Sequence, residues 1–181
     1  MTDLTLVGLC GSLRAASYNR QLMLEAAGIF GGRFTEGSLR LPLFDEDLEA
    51  EGMPSEVEAL GAAIAGADAV LFACPEYNKA PPGVVKNALD WLSRLKPNPL
   101  AGKPVAIVTA AGGRAGGERS QNVLRWMLVP HRVEPLSWPE VFVAAPEKEF
   151  DAEGRLLSER YRKQLETLME RLRDQASGKV G

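Results

Sequence analysis

The sequence predicts an α/β fold in which a five-stranded parallel sheet lies between two layers of helices, as a three-layer sandwich. Three observations predict it: short apolar runs alternate with segments of helical periodicity, no segment repeats, and 181 residues suit one domain. Such alternation gives parallel strands joined by right-handed crossovers. Five strands fit the order 2-1-3-4-5, which places a ligand beyond the carboxyl ends of strands 1 and 3.

Apolar residues define the elements of the first half of the chain. Residues 4–10 are an apolar run typical of a buried strand, and residues 17–30 carry apolar side chains on one helical face. A second strand is predicted over residues 34–43 because of the alternating Leu39, Leu41 and Leu43. A helix over residues 54–64, opened by its proline, and a third strand over residues 69–74 follow.

The second half continues the pattern. Pro81 and Pro82 suit the first turn of a helix through Leu92, and residues 105–109 predict a fourth strand. The remaining elements are a helix from the Gly116-Gly117 pair to Leu128, a last strand over residues 135–143 that Pro139 interrupts, and a final helix with Tyr161, Leu165, Leu168, Met169 and Leu172. We expect one domain over residues 1–176 and a disordered tail over residues 177–181.

Composition narrows the classes of function. Lys and Arg total 21 against 24 Asp and Glu, and a net charge of −3 disfavours a nucleic-acid or anionic-membrane partner. No basic leader precedes the first apolar run and no stretch has the length of a membrane span, so we expect a cytoplasmic protein. Cys10, Cys74 and His131 are too few for a typical zinc site.

The same three residues are not expected to act as catalysts. Two cysteines fit a reducing compartment, and we expect both to be small buried residues, with a redox-sensing thiol pair as the alternative. We expect His131 to be a surface or loop residue.

The loop after the first strand predicts an anion site. Ser12, Arg14, Ser17 and Asn19 precede or open a helix, whose N-terminus offers free N–H groups and the positive end of the helix dipole. Without a G-x-G-x-x-G or P-loop pattern, this chemistry suits a terminal phosphate rather than a bridging pyrophosphate. Two alternatives are a helix merely capped by Ser17 and a cysteine phosphatase using Cys10, which lacks the expected loop-closing arginine and an acid.

Two more loops follow strands at the same edge of the sheet. After the third strand, Pro75 enforces a turn and Tyr77 offers a flat surface for an aromatic ring, whereas a plain turn with a left-handed Asn78 is the alternative. The loop over residues 109–117 is rich in glycine, which permits close backbone approach to a ligand but also suits a mobile connection.

Together these motifs resemble the NADPH-dependent FMN reductase family, flavodoxin-like proteins that include bacterial chromate and quinone reductases. The match runs in register from about residue 4 to residue 128. Its residues are Gly11-Ser12-Leu13-Arg14 with Ser17 and Asn19, Leu41-Pro42-Leu43-Phe44-Asp45, Pro75-Glu76-Tyr77-Asn78, Pro82-Gly83, Lys86-Asn87-Ala88-Leu89-Asp90-Trp91 and Leu100-Ala101-Gly102-Lys103-Pro104. The chain departs from the family at Ala110 and Ala111, where hydroxyl residues are common, and at Lys79, where an aromatic or small residue is expected.

The resemblance implies noncovalently bound FMN, with NADPH or NADH as the electron donor. The cofactor-binding residues that it implies are Ser12, Leu13, Arg14, Ser17, Tyr18, Asn19, Pro75, Glu76, Tyr77, Asn78, Ala111 and Gly112. It also implies a homodimer or homotetramer with residues 84–95 near the interface, although the apolar residues there equally suit core packing. Arg114 is a candidate contact for a phosphate of the donor, with a solvated surface charge as the alternative.

The expected function is two-electron transfer from NAD(P)H to quinones, azo compounds or chromate by a ping-pong mechanism. The flavin carries this chemistry and no protein side chain is expected to act as a catalyst; a G-x-S-x-G nucleophile elbow is absent from the sequence. The alternatives are an FMN-binding electron carrier or regulatory protein without nicotinamide turnover, and a phosphoester hydrolase. The small net charge disfavours the carrier.

Overall fold

A computed structural model describes residues 3–133 and 135–179 of the chain. In this part of the chain, five parallel strands pair in the order 2-1-3-4-5, as predicted: β1 (Thr5–Cys10), β2 (Arg33–Gly37), β3 (Ala69–Ala73), β4 (Val105–Ala111) and β5 (Val141–Ala144). The helices are α1 (Tyr18–Phe30), α2 (Glu46–Glu51), α3 (Ser55–Ala65), α4 (Gly83–Arg94), α5 (Glu118–Leu128) and α6 (Glu159–Ala176). Short 3₁₀ turns lie at Val129–His131 and Pro146–Lys148.

Helices cover both faces of the sheet and create two apolar cores. Strands β1, β3 and β4 are almost wholly buried, which explains why they are continuous apolar runs rather than alternating ones. Helices α1 and α6 pack on one face, mainly through Leu22, Met23, Phe30, Leu165, Leu168 and Leu172. Helices α3, α4 and α5 pack on the other, mainly through Leu60, Ile64, Val85, Leu89, Leu92 and Leu124. The predicted three-layer sandwich is confirmed.

The second strand is shorter than predicted, because β2 ends at Gly37 rather than Leu43. Beyond it the chain leaves the sheet and runs against α4, where the Pro42 carbonyl accepts hydrogen bonds from Asn87 Nδ2 at 2.8 Å and Trp91 Nε1 at 2.9 Å. The alternating leucines therefore do not mark a pleated strand. Leu39 is buried and Leu41 packs partly against the same core, whereas Leu43 is 81% exposed.

Three further elements differ from the prediction. The last strand covers only Val141–Ala144, because Pro139 has no N–H to donate to a ladder. Helix α2 was not predicted, although Asp45 caps it through an Asp47 N–H bond of 2.9 Å and acidic residues fill its first turn, both typical helix signals. Strand β4 extends two residues beyond the prediction, to Ala111.

The chain end is described as far as Lys179. Ser177, Gly178 and Lys179 donate backbone hydrogen bonds to the last turn of α6. Val180 and Gly181 lie outside the described residues, so the predicted disordered tail and the domain boundary at residue 176 stay predictions. Within residues 3–133 and 135–179, no helix combines the length and apolar character needed to cross a membrane.

Candidate functional site

A cavity of about 270 Å³ lies at the carboxyl ends of β1, β3 and β4, where the strand order predicts a ligand. We call it the switch-point cavity; it is lined by Ser12, Arg14, Ser17, Tyr18, Asn19, Pro75, Glu76, Tyr77, Ala110, Ala111, Gly112, Pro146 and Glu147. All the predicted cofactor-binding residues except Leu13 and Asn78 line it. Pro146 and Glu147 were not predicted, although they follow β5 at the same edge of the sheet.

The loop between β1 and α1 forms an anion-binding wall of the cavity. Ser17 caps α1, because its Oγ accepts the Arg20 N–H at 3.3 Å, and Ser12 Oγ accepts the Arg14 N–H at 3.4 Å. The N–H groups of Tyr18 and Asn19 belong to the first turn, where a helix has no intrahelical partners for them. The Arg14 guanidinium lies 5.5 Å from the Tyr18 ring centre and makes no ion pair with any residue that the structure describes.

Asn19 has a structural contact that the sequence did not reveal. Its buried side chain donates from Nδ2 to the Ala110 carbonyl at 2.7 Å and accepts the Ala110 N–H at Oδ1 at 3.0 Å. The amide was predicted to donate to a phosphate, but these two bonds instead join the first turn of α1 to the end of β4. The Asn19 backbone N–H belongs to the first turn of α1, where N–H groups have no intrahelical partner.

The loop after β3 contains a tight turn. Tyr77 and Ala80 exchange backbone hydrogen bonds of 2.9 and 3.1 Å around Asn78 and Lys79, whose φ angles of +51° and +67° are those of a type I′ turn. The turn with a left-handed Asn78, which the sequence offered as an alternative, is therefore present. The turn orients Tyr77, whose Oη lies 3.3 Å from Ser12 Oγ and so connects this loop to the anion-binding wall.

Glu76 links the same loop to α5. The N-cap of α5 is Gly117, which has no side chain to cap the helix, and Glu76 Oε2 instead accepts the N–H groups of Arg119 at 3.1 Å and Ser120 at 3.4 Å. Ser120 Oγ donates to the Pro75 carbonyl at 2.9 Å. A carboxylate at a helix N-terminus also interacts favourably with the helix dipole. Glu76 therefore fixes the end of the glycine-rich loop relative to the cavity.

Lys79, where the chain departs from the family, lines a shallow depression of about 510 Å³ on the outer surface of α5, with Arg119, Asn122, Val123 and Trp126.

Neither cysteine has the character of a nucleophile. Both are buried, as predicted, and burial raises the pKa of the Cys10 thiol and raises that of Cys74 to about 12. Both thiols are therefore protonated at neutral pH, which contradicts the cysteine phosphatase alternative and disfavours a redox-sensing pair.

His131 was predicted to be a surface or loop residue; it lies in the turn after α5, but it is not at the surface. It is only 3% exposed, and its Nδ1 lies 3.0 Å from Asn98 Nδ2.

The residues of the cavity fit FMN. A terminal phosphate suits the α1 N-terminus and Arg14, whose guanidinium is unpaired among the residues described here. On the opposite wall, no atom lies within 4 Å of where a Cβ would stand at Gly112 or Gly113, so a flat ring can approach the backbone. An anion site and an open backbone wall at this switch point define a flavodoxin-like flavoprotein.

Comparison with known proteins identifies the family. The sequence profile of NADPH-dependent FMN reductases matches residues 4–148, and the chain therefore belongs to this family. It is 42% identical over 173 residues to an NAD(P)H-dependent FMN reductase of Pseudomonas aeruginosa, with 94% of each chain covered. It is 45% identical over 131 residues to a quinone reductase of Escherichia coli, with 70% of each chain covered.

A solved structure agrees. The flavoenzyme NAD(P)H:(acceptor) oxidoreductase FerB from Paracoccus denitrificans matches with a TM-score of 0.88 and 31% identity, over 97% of this chain and 98% of that chain. The resemblance drawn from the sequence is confirmed, and the chain is an FMN- and NAD(P)H-dependent oxidoreductase.

Proposed function

We propose that the protein transfers two electrons from NAD(P)H to quinones through FMN bound in the switch-point cavity. The observation that carries this proposal is the cavity itself, which combines an anion-binding helix N-terminus with an open glycine wall at the switch point. The relative from E. coli is a quinone reductase, which supports quinones as acceptors. We extend the proposal to azo compounds and chromate as further acceptors.

The roles of the chain's own residues follow from their positions. The first-turn N–H groups of α1 and the Arg14 guanidinium would hold the phosphate, with Ser12 as a further contact. Tyr77 and the backbone at Ala111 and Gly112 would flank the ring. Bound FMN supplies the two-electron chemistry between nicotinamide and acceptor. The protein then binds, orients and electrostatically tunes its ligands, and no side chain need act as a nucleophile.

The kinetic order that we propose is ping-pong, in which the oxidised nicotinamide leaves before the acceptor binds in the same open cavity. Initial rates measured with varied donor and acceptor should then give parallel double-reciprocal lines. Intersecting lines would contradict this order.

The test of the proposed function is oxidation of NADPH and NADH by the purified protein with FMN and a benzoquinone. Arg14→Ala should weaken FMN binding roughly 10- to 100-fold, because it removes a charge-assisted contact to phosphate. Arg33→Ala is the matched control, since Arg33 lies at the amino end of β2, at the opposite edge of the sheet. FMN-loaded protein that oxidises neither donor would refute the proposal and support an electron carrier.

We also propose that the protein is cytoplasmic and that it forms a homodimer or a homotetramer. The apolar residues of α4 predicted near an interface are largely buried in the chain's own core, but α5 and the turn after it expose Trp126 by 82% and Val129 by 69%. These side chains support a contact with a second copy. Sedimentation of the wild type and of Trp126→Glu tests it: a wild-type monomer, or an unchanged assembly in the variant, contradicts that contact.

A further inference from the structure

A second cavity, beside the glycine-rich loop, is lined by two arginines and a single carboxylate. We call this cavity of about 230 Å³ the arginine cleft; it is lined by Arg114, Ala115, Glu140, Phe142, Ala144, Arg160, Tyr161 and Gln164. It brings together side chains of the β4–α5 loop, of β5 and of α6, so three segments distant in sequence form it.

The charges of the cleft favour an anion. Neither the Arg114 nor the Arg160 guanidinium forms an ion pair or a hydrogen bond with any residue in the described part of the chain, and that of Arg160 lies 5.6 Å from the Tyr161 ring centre. Glu140 also lines the cleft, but its charge acts as well on Arg125, outside the cleft. Two planar guanidinium groups beside one shared carboxylate leave a net positive site, and guanidinium geometry suits phosphate oxygens.

The arginine cleft connects with the switch-point cavity. Between them lies a third cavity of about 290 Å³ along the glycine-rich loop, which shares Arg114 and Ala115 with the cleft. The same intermediate cavity shares Glu76, Ala111 and Gly112 with the switch-point cavity. The three cavities therefore follow one another along the glycine-rich loop, from the proposed ring site to the two arginines.

The arginine cleft begins close to the switch-point cavity. Ala111 lines the switch-point cavity, and its register partner on the neighbouring strand, Ala144, lines the arginine cleft. Adjacent strands are about 5 Å apart, so the cleft begins one strand beyond the ring site. A nicotinamide dinucleotide with its reactive ring in the switch-point cavity must extend its phosphates out of that cavity.

We propose that the arginine cleft binds a phosphate of the nicotinamide donor, with Arg114 and Arg160 as its contacts. This inference rests on the proposed function and names the donor part of that site. Two phosphates have the required chemistry: the 2′-phosphate, which NADPH carries and NADH does not, and the bridging pyrophosphate, which both donors carry.

Arg114→Gln, Arg160→Gln and the double variant test the proposal. Each keeps a polar side chain, although a shorter one, and removes the charge. Arg171→Gln is the matched control, because Arg171 is an exposed arginine of α6 that lies against Trp138 and does not line the cleft. Calorimetric titration of FMN-loaded protein with NADP⁺ and NAD⁺ gives binding constants independent of turnover, and initial rates give KM for NADPH and NADH.

The expected result is a roughly tenfold weakening per arginine, with FMN affinity unchanged, because a charge-assisted contact is lost. Weakening confined to NADP⁺ and NADPH assigns the cleft to the 2′-phosphate, and equal weakening for both donors assigns it to the pyrophosphate. Binding constants equal to those of the Arg171→Gln control overturn the proposal. Wild-type protein that binds both nucleotides without oxidising either donor refutes the proposed function, while the titrations still decide the role of the cleft.

Discussion

Replacing Asn19 by leucine removes both hydrogen bonds that join α1 to the end of β4. Leucine has a similar volume, so it excludes water while the Ala110 N–H and carbonyl, at 3.0 and 2.7 Å from the amide in the native protein, lose their partners. Each buried polar group left without a partner costs about 1–3 kcal/mol. The loss should therefore be about 2–6 kcal/mol of the free energy of unfolding, a large fraction of the roughly 5–15 kcal/mol typical of a domain.

The measurement is urea unfolding of the apoprotein, followed by a thermal scan. The apparent melting temperature should fall by roughly 5–15 °C for a domain of this size. Asn122→Leu is the matched control, because Asn122 is an exposed asparagine of α5, and its change should stay within about 0.5 kcal/mol. If Asn19→Leu unfolds within about 0.5 kcal/mol of this control, the two hydrogen bonds do not stabilise the fold and the reasoning is wrong.

Three other substitutions, at His131, Gly117 and Gly28, give effects on stability that differ in sign or depend on pH. Burial lowers the pKa of His131 in the folded state, and Asn98 Nδ2 donates to a ring nitrogen that must be neutral, so this stabilisation is present above the unfolded pKa of about 6.5 and is lost as the pH falls below it. Denaturant unfolding from pH 7.5 to 5 should therefore show a steeper loss for the wild type than for His131→Gln, and parallel curves would contradict this. Gly117→Ala should destabilise by about 1–3 kcal/mol, because φ is +100° and the new Cβ would lie 2.9 Å from Thr109 Cβ. Gly28→Ala, in the open interior of α1, should instead stabilise by about 0.5–1 kcal/mol; equal thermal shifts for the two variants would refute the argument.

The sheet was predictable because its central strands are recognisable in the sequence as short apolar runs. Strands β1, β3 and β4 are buried on both faces and are apolar except for Thr5 and Thr109, and a run of polar residues begins beyond the end of each strand. That coincidence also located most residues of the switch-point cavity. The end of β2 was not predictable, because leucines can alternate in a segment that has left the sheet, as residues 38–43 do.

Contacts between distant side chains were equally invisible in the sequence. Asn19 and Ala110 are separated by 91 residues in the sequence. Glu76 and Arg119, whose N–H it accepts at the start of α5, are separated by 43. Local pattern indicates that Asn19 and Glu76 lie in loops near a ligand. It does not indicate which backbone groups these side chains bind, because that depends on how helices and strands distant in sequence pack together.

At Lys79, which has a left-handed backbone conformation, selection for stability and selection for assembly favour different residues. Glycine would adopt its φ of +67° without the roughly 1–2 kcal/mol that a side chain costs there. A screen for thermal stability should consequently recover Lys79→Gly. That stabilised variant would have lost a positive charge beside Trp126, on the surface that we propose joins two copies, so a more heat-resistant chain could assemble differently from its parent.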